Sequence, residues 1–175
     1  MQLDLAQLRE MHPRLAADQA LSMATHAAVA LERLGHQSGI PISLEVERLA
    51  LQGLLAWPGA DLSTIDQRDR NRITEDGAEA VALALAHQAR GWRVVRRMQR
   101  GENADWLLEQ PGNGRRKVVA LEVSGIEQGN LANRLREKLR QVAKSADVDQ
   151  RWAGVVEFGE PKAALRFTKA ERHGR

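Results

Sequence analysis

The sequence predicts an α/β domain built on a mixed sheet, and three observations carry that prediction. Apolar residues recur at helical spacing over 14–34 and again between Thr74 and Gly91. Three strand-length apolar runs follow the second helix, at 92–98, 104–109 and 118–124, each bounded by turn-forming residues. A basic helix over 131–145 then separates them from a further strand at 152–158 and a short one at 163–168. The order is helix, three strands, helix, strand, and an alternation of that kind places helices against a sheet.

In the first helix Leu15, Ala20, Leu21, Ala24, Ala28, Leu31 and Leu34 recur at helical spacing, and Gly35 sits where a C-terminal cap belongs. Ser38-Gly39-Ile40-Pro41 leads into Ile42–Glu47, which alternates apolar and polar, and Leu49–Trp57 follows; together they predict a hairpin. The polar stretch 61–73, crowded with Arg68, Asp69, Arg70 and Arg72, reads as a connector between an N-terminal unit (1–60) and a C-terminal domain (74–175). Thr74 is placed to cap the second helix, with Glu75 and Asp76 in its first turn and Ala78, Val81, Ala82, Leu85, Ala86 and Ala89 on its apolar face. Pro111-Gly112-Asn113-Gly114 is a turn, and Trp92, Trp106 and Trp152 are expected in the core.

Composition narrows the function. The chain has 175 residues, 43% hydrophobic and 28% charged, enough for one core of ordinary size. It has no cysteine, which excludes disulfide frameworks, thiolate zinc sites, iron–sulfur clusters and cysteine nucleophiles. The start, Met-Gln-Leu-Asp, has no basic segment followed by an apolar one, and no apolar run approaches the roughly 18 residues of a membrane span, so a cytoplasmic protein without membrane contact is expected. Phosphate loops of the GxxxxGK[ST] and GxGxxG types, the HExxH zinc helix and the GxSxG elbow are all missing; the histidines stand at 12, 26, 36, 87 and 173. The net charge of +3 is uneven: residues 1–60 carry four Arg, no Lys and six acids, so the excess of positive charge lies in the remainder. Arg outnumbers Lys 21 to 5. Such a field favours a polyanionic partner, nucleic acid above all, with Arg97, Arg134, Arg136 and Arg140 as the candidate contacts.

Two acids stand in strands otherwise given to burial. Glu122 and Ser124 share one face of Val118–Ser124, and Asp105 opens the neighbouring strand. If those strands form a hairpin, the two carboxylates meet near one end, and a divalent cation, Mg²⁺ or Mn²⁺, would relieve their repulsion while polarising a phosphate and a water. Glu79 lies beyond the first helical turn and is the candidate third acid. The competing reading makes Glu122 a salt-bridged strand residue facing Arg93 or Arg97, and Glu75 and Asp76 plain helix-start residues.

The runs Glu75-Asp76-Gly77-Ala78-Glu79, Gly91–Arg96, Ala104-Asp105 and Ala120-Leu121-Glu122-Val123-Ser124 resemble the core of the PD-(D/E)XK, restriction-endonuclease-like, nuclease superfamily, most of all archaeal Holliday-junction resolvases. The resemblance covers about residues 74–168. It implies a restriction-endonuclease-like fold, metal-dependent hydrolysis of DNA phosphodiesters, and Glu79, Asp105 and Glu122 around one or two Mg²⁺ ions. The family's third-strand lysine, which orients or deprotonates the attacking water, is replaced by Ser124. A serine hydroxyl supplies no positive charge, so the lysine's part falls to Lys138 or Lys144 of the following helix, or the domain is a degenerate module that binds nucleic acid or a protein partner. Residues 1–60, net acidic, fall outside the resemblance and offer a surface for a second copy or another protein.

Overall fold

Groups of strands are separated by single long helices along the described chain. It begins with β1 (Gln2–Asp4), a single 3-10 turn, α1 (Leu8–Met11), α2 (Ala17–Arg33) and the strands β2 (Ile40–Val46) and β3 (Leu49–Ala56). It continues with α3 (Arg70–Arg90), β4 (Arg93–Arg97), β5 (Trp106–Gln110), β6 (Lys117–Ile126), α4 (Leu131–Val142), β7 (Gln150–Glu157) and β8 (Lys162–Thr168). This is a computed structural model, and it describes residues 1–60, 70–111 and 116–169. The eight strands form one mixed sheet in the order β1-β3-β2-β8-β7-β6-β5-β4. β4, β5 and β6 are antiparallel neighbours, while β6 and β7 run parallel with α4 as the crossover between them. The predicted α/β class with a mixed sheet is what forms.

Side-chain alternation along β6 assigns the two faces. Val119, Leu121 and Val123 join the larger core, with α2, α3, Trp92, Trp106 and Trp152. Ala120 belongs to the smaller core beneath α4, with Leu135, Val142, Ala153, Val155 and Ala164, so Glu122 and Ser124 share the α4 face. The three tryptophans are buried as expected, Trp92 edge-on to Trp152 at 4.9 Å. Helix–sheet contact is closest at Gly125, where a Cβ would lie 2.3 Å from the Thr74 carbonyl oxygen, and α2 meets α3 at Gly77, where one would lie 2.9 Å from Ala27 Cα. Those two glycines set how near α3 can come to the sheet end and to α2.

The β2–β3 hairpin forms as predicted, and Gly35 adopts φ +83° just past α2. β2 pairs parallel with β8, so residues before and after the expected connector share one sheet and contribute to one core. Residues 61–69 of that connector, and Gly112–Gly114 of the expected turn, lie outside the described residues. Residues 70–73 are helical, which corrects two expectations: the connector does not reach 73, and Thr74 is no cap. Its hydroxyl lies inside α3 and donates to the Arg70 carbonyl at 3.0 Å. Arg70, Asn71 and Arg72 form an exposed helical turn, and their charge, which resembles that of a linker, is simply a solvated helix face. β1 and α1 carry no sequence signal because each is too short to show a period. His12 ties this N-terminal segment down: its Nδ1 accepts from Val94 N at 3.2 Å, so Nε2 carries the proton and donates to the Leu83 carbonyl at 3.1 Å. Burial holds its pKa down to about 4.

Candidate active site

The site arises where β5 stops and β6 does not. Pairing with β5 ends at Leu121, whereas pairing with β7 continues to Ile126, so the last part of β6 has one bare edge. Backbone N–H groups on a bare, buried edge need acceptors. Two carboxylates supply them: Asp105, just before β5, accepts from Val123 N at 2.7 Å, and Glu75 of α3 accepts from Gly125 N at 3.1 Å. Both acids are thereby fixed beside the strand that carries Glu122 and Ser124.

Glu122 is 2% exposed and faces α4. Lys138 Nζ reaches it from two turns into α4 and donates to Oε1 at 2.6 Å. Asp105 lies close enough for its charge to act on the same carboxylate. Burial, then the Asp105 charge, pushes Glu122 up to about 7, with Lys138 pulling the other way. Two carboxylates and one ammonium thus share a small, nearly dry space with an excess of negative charge. The cation on Glu122 is Lys138, and not Arg93 or Arg97. Lys144, the other candidate, is exposed beyond the end of α4.

Glu79 does not join this group. It lies on α3, on the opposite face of the sheet, where Arg97 grips both its oxygens at 3.0 and 2.8 Å. The Arg97 guanidinium also stacks on Trp106, 5.1 Å from the ring centre. Burial pushes Glu79 up to about 8 against the pull of Arg97, and Asp105 adds to the rise, so Asp105 is felt by both glutamates. Arg97, expected to meet nucleic acid, is engaged with Glu79 instead.

Ser124 points to the α4 side and is tied at both ends. Its hydroxyl donates to Glu75 Oε1 at 3.2 Å and accepts from Arg134 Nε at 2.9 Å. Arg134 also meets Glu137 at 3.2 Å, and the group borders a polar cavity of about 510 Å³ shared with Arg70 and Glu127, which pair with each other. Arg136 is exposed and bonds the Asn133 side chain, and Arg140 is exposed on the same helix. Sequence reasoning placed Glu75 and Asp76 at a helix start; in the structure Glu75 caps the strand edge and Asp76 pairs with His26 at 3.0 Å. The overlooked signal was the Glu75/Glu79 pair one turn apart, since two like charges at that spacing repel unless each has its own partner.

Among the described residues no three His, Asp or Glu side chains are grouped to hold a metal, and no helix is long and apolar enough to cross a membrane. Asp105 and Glu122 nonetheless suit one hard cation, because Mg²⁺ is commonly held by one or two carboxylates with water and substrate phosphate completing its shell. Compared with known proteins, the chain matches no family model, no curated protein and no solved structure.

Proposed function

We propose that the protein is a metal-dependent phosphodiesterase acting on DNA, with a restriction-endonuclease-like core made of α3, β4, β5, β6, α4 and β7. The observation that carries this reading is Lys138 Nζ at 2.6 Å from Glu122, with Asp105 beside the same carboxylate. An ammonium absent from the strand is thus supplied by the next helix at the same acid. Asp105 and Glu122 would hold Mg²⁺ or Mn²⁺, which when bound polarises a phosphoryl oxygen and a water. Lys138, held on Glu122, orients the attacking water and offsets charge that develops at the phosphorus. Arg134 is aimed by Ser124, and Arg136 and Arg140 extend a cationic face of α4 toward the phosphate backbone. A cytoplasmic site of action accords with this substrate.

A second reading has its own observation. Ser124 is engaged with Arg134 and Glu75, and Glu79 with Arg97, so neither is free to act as a base or a ligand in this conformation. That arrangement also suits a module that binds nucleic acid without cutting it. Calorimetric titration with Mn²⁺ at pH 8 separates the two: the catalytic reading expects binding that disappears in Asp105→Asn, together with metal-dependent cleavage of DNA lost in Asp105→Ala. Salt-sensitive DNA binding without metal uptake or cleavage, lost when Arg134, Arg136 and Arg140 are changed together, would establish the module.

A further inference from the structure

The β2–β3 hairpin widens the sheet past the reach of α4 and leaves a hollow of about 580 Å³ on the α4 side. Strand register explains why it is hollow. Across the sheet Glu157 of β7 stands opposite Lys162 of β8, Lys162 opposite Ser43 of β2, and Ser43 opposite Gln52 of β3. Two residues along, the corresponding row is Val155, Ala164, Glu45 and Ala50. Ser43, Ala50 and Ala164 are too short to fill the space above strands about 4.8 Å apart. The first turn of α4, with Asn130 and Leu131, forms the wall. The volume falls in the range of small-molecule sites, about 300–1,000 Å³.

One group in the hollow is unaccounted for by the fold. Glu157, at the end of β7, is 8% exposed and lines the space. Among the described residues its carboxylate has no hydrogen bond and no ion pair. Lys162, across the strand pair, feels the Glu157 charge but makes its hydrogen bond to Glu160, and Glu45 is held by Arg166 at 2.8 Å. Buried carboxylates are normally paired. The Glu157 oxygens are not sealed either, since the sealed, partnerless side-chain atoms are the indole nitrogens of Trp92 and Trp106. A nearly buried acceptor that lines a cavity and accepts no hydrogen bond from the chain has room for a donor from outside.

We propose that this hollow is a second binding site, for a small organic cation whose ammonium or guanidinium head donates to Glu157 while its aliphatic stem lies over Ala50, Ala164 and Leu131. A carboxylate only accepts, so the partner atom must donate, and a charged donor gives the stronger bond. Ala164 and Leu131, which border the smaller core, give the hollow an apolar side that suits methylenes. The site is independent of Asp105 and Glu122, which lie at the opposite end of α4's sheet contact, beside β5.

The test uses the full chain, n-butylguanidinium as probe and n-butylurea as its neutral isostere, followed by calorimetry and by the amide resonances of Asn130 and Ala164. The expected outcome is guanidinium binding at about 1 mM or tighter, with the urea at least about tenfold weaker. Glu157→Gln should weaken the cation about tenfold or more. It breaks no hydrogen bond within the chain and so keeps the fold. Ala50→Trp, at an exposed strand position, should block the hollow and abolish binding, while Asp105→Asn should leave it unchanged. Equal affinity for the two probes, no resonance shift at saturating cation, or binding indifferent to both Glu157→Gln and Ala50→Trp would each overturn the assignment. None of these results bears on metal binding at Asp105, so the two sites stand or fall separately.

Discussion

One buried glutamate lies against each face of the sheet near β5, Glu122 on β6 and Glu79 on α3, and the two are solved differently. Glu79 is met by a planar guanidinium that occupies both its oxygens and is itself braced on Trp106. Glu122 is met by a single ammonium on one oxygen, and its other neighbour is a like charge, Asp105. A bidentate Arg leaves a carboxylate little capacity for another ligand. A Lys on one oxygen, with a second acid alongside, leaves an incomplete arrangement that a cation or a proton must finish. Both glutamates are raised by burial, so raised pKa alone does not tell a structural acid from a working one. The partner does.

The largest effect expected from this contrast is that of Lys138→Ala. It should lower metal-dependent cleavage by about 100-fold or more, the size of a lost water-positioning group. It should also cost about 2 kcal/mol of stability at pH 8, where the paired Glu122 is left charged and buried, and less at pH 5, where the carboxyl is protonated. Arginine at the same place should restore stability more than activity, because a fork that covers both oxygens imitates the Glu79 arrangement. Cleavage assays and urea melts at the two pH values check this. Full activity in Lys138→Ala would place the catalytic centre elsewhere.

A middle-sized effect lies in pH and metal linkage. The folded-state pKa values of Glu79 and Glu122, about 8 and about 7, exceed the usual carboxylate value, so the folded state binds more protons than the unfolded one from about pH 4.5 up to those values. Their contribution to stability is therefore full below about pH 4.5, falls as pH rises, and is gone once pH has passed through the folded values of about 7 and 8. Glu122→Gln should remove part of that loss and raise stability at pH 8.5 by about 1–2 kcal/mol while abolishing Mn²⁺ uptake. Mn²⁺ should raise the melting temperature of the wild type at pH 8.5 and much less at pH 6, because the ligand must first lose its proton. A metal-induced shift as large at pH 6, or one that survives Glu122→Gln, would detach the metal from this acid.

Much of this contrast was legible in the sequence, and the remainder fails for definable reasons. Strand parity places Glu122 and Ser124 on one face, and the β5–β6 hairpin brings Asp105 to that strand, so the acid pair follows from periods and turns alone. Lys138 stood as one of two lysines; the helix turn that separates it from Lys144 decides which one faces the sheet, and that needs the docking of α4, which Leu135 and Val142 set. Parity also puts Arg97 on the Trp106 side, yet nothing local indicates that Glu79 faces it, because that depends on how closely α3 lies to the sheet through Gly125. Glu75 was misplaced because α3 already includes Arg70, a turn before the apolar period becomes visible. Charged residues that extend a helix beyond its apolar stripe look the same, residue by residue, as a linker.

The smallest effect is the sharpest test of the distinction between the two acids. Arg97→Gln removes the bidentate partner of Glu79 and its stacking on Trp106, but a half-exposed guanidinium, at 48% side-chain exposure, is well screened by water. The stability loss should be about 1 kcal/mol at pH 9 and smaller at pH 6, where Glu79 is already protonated and needs no counter-charge. Metal binding and cleavage should remain within about twofold of wild type, since the side chains on the Glu122 side of the sheet are unchanged. Should Arg97→Gln instead create a second metal-binding event, or suppress cleavage as strongly as Lys138→Ala, Glu79 would belong with Asp105 and Glu122. Arg97 would then be a removable plug in a three-acid centre, not the fixed brace its two short bonds describe.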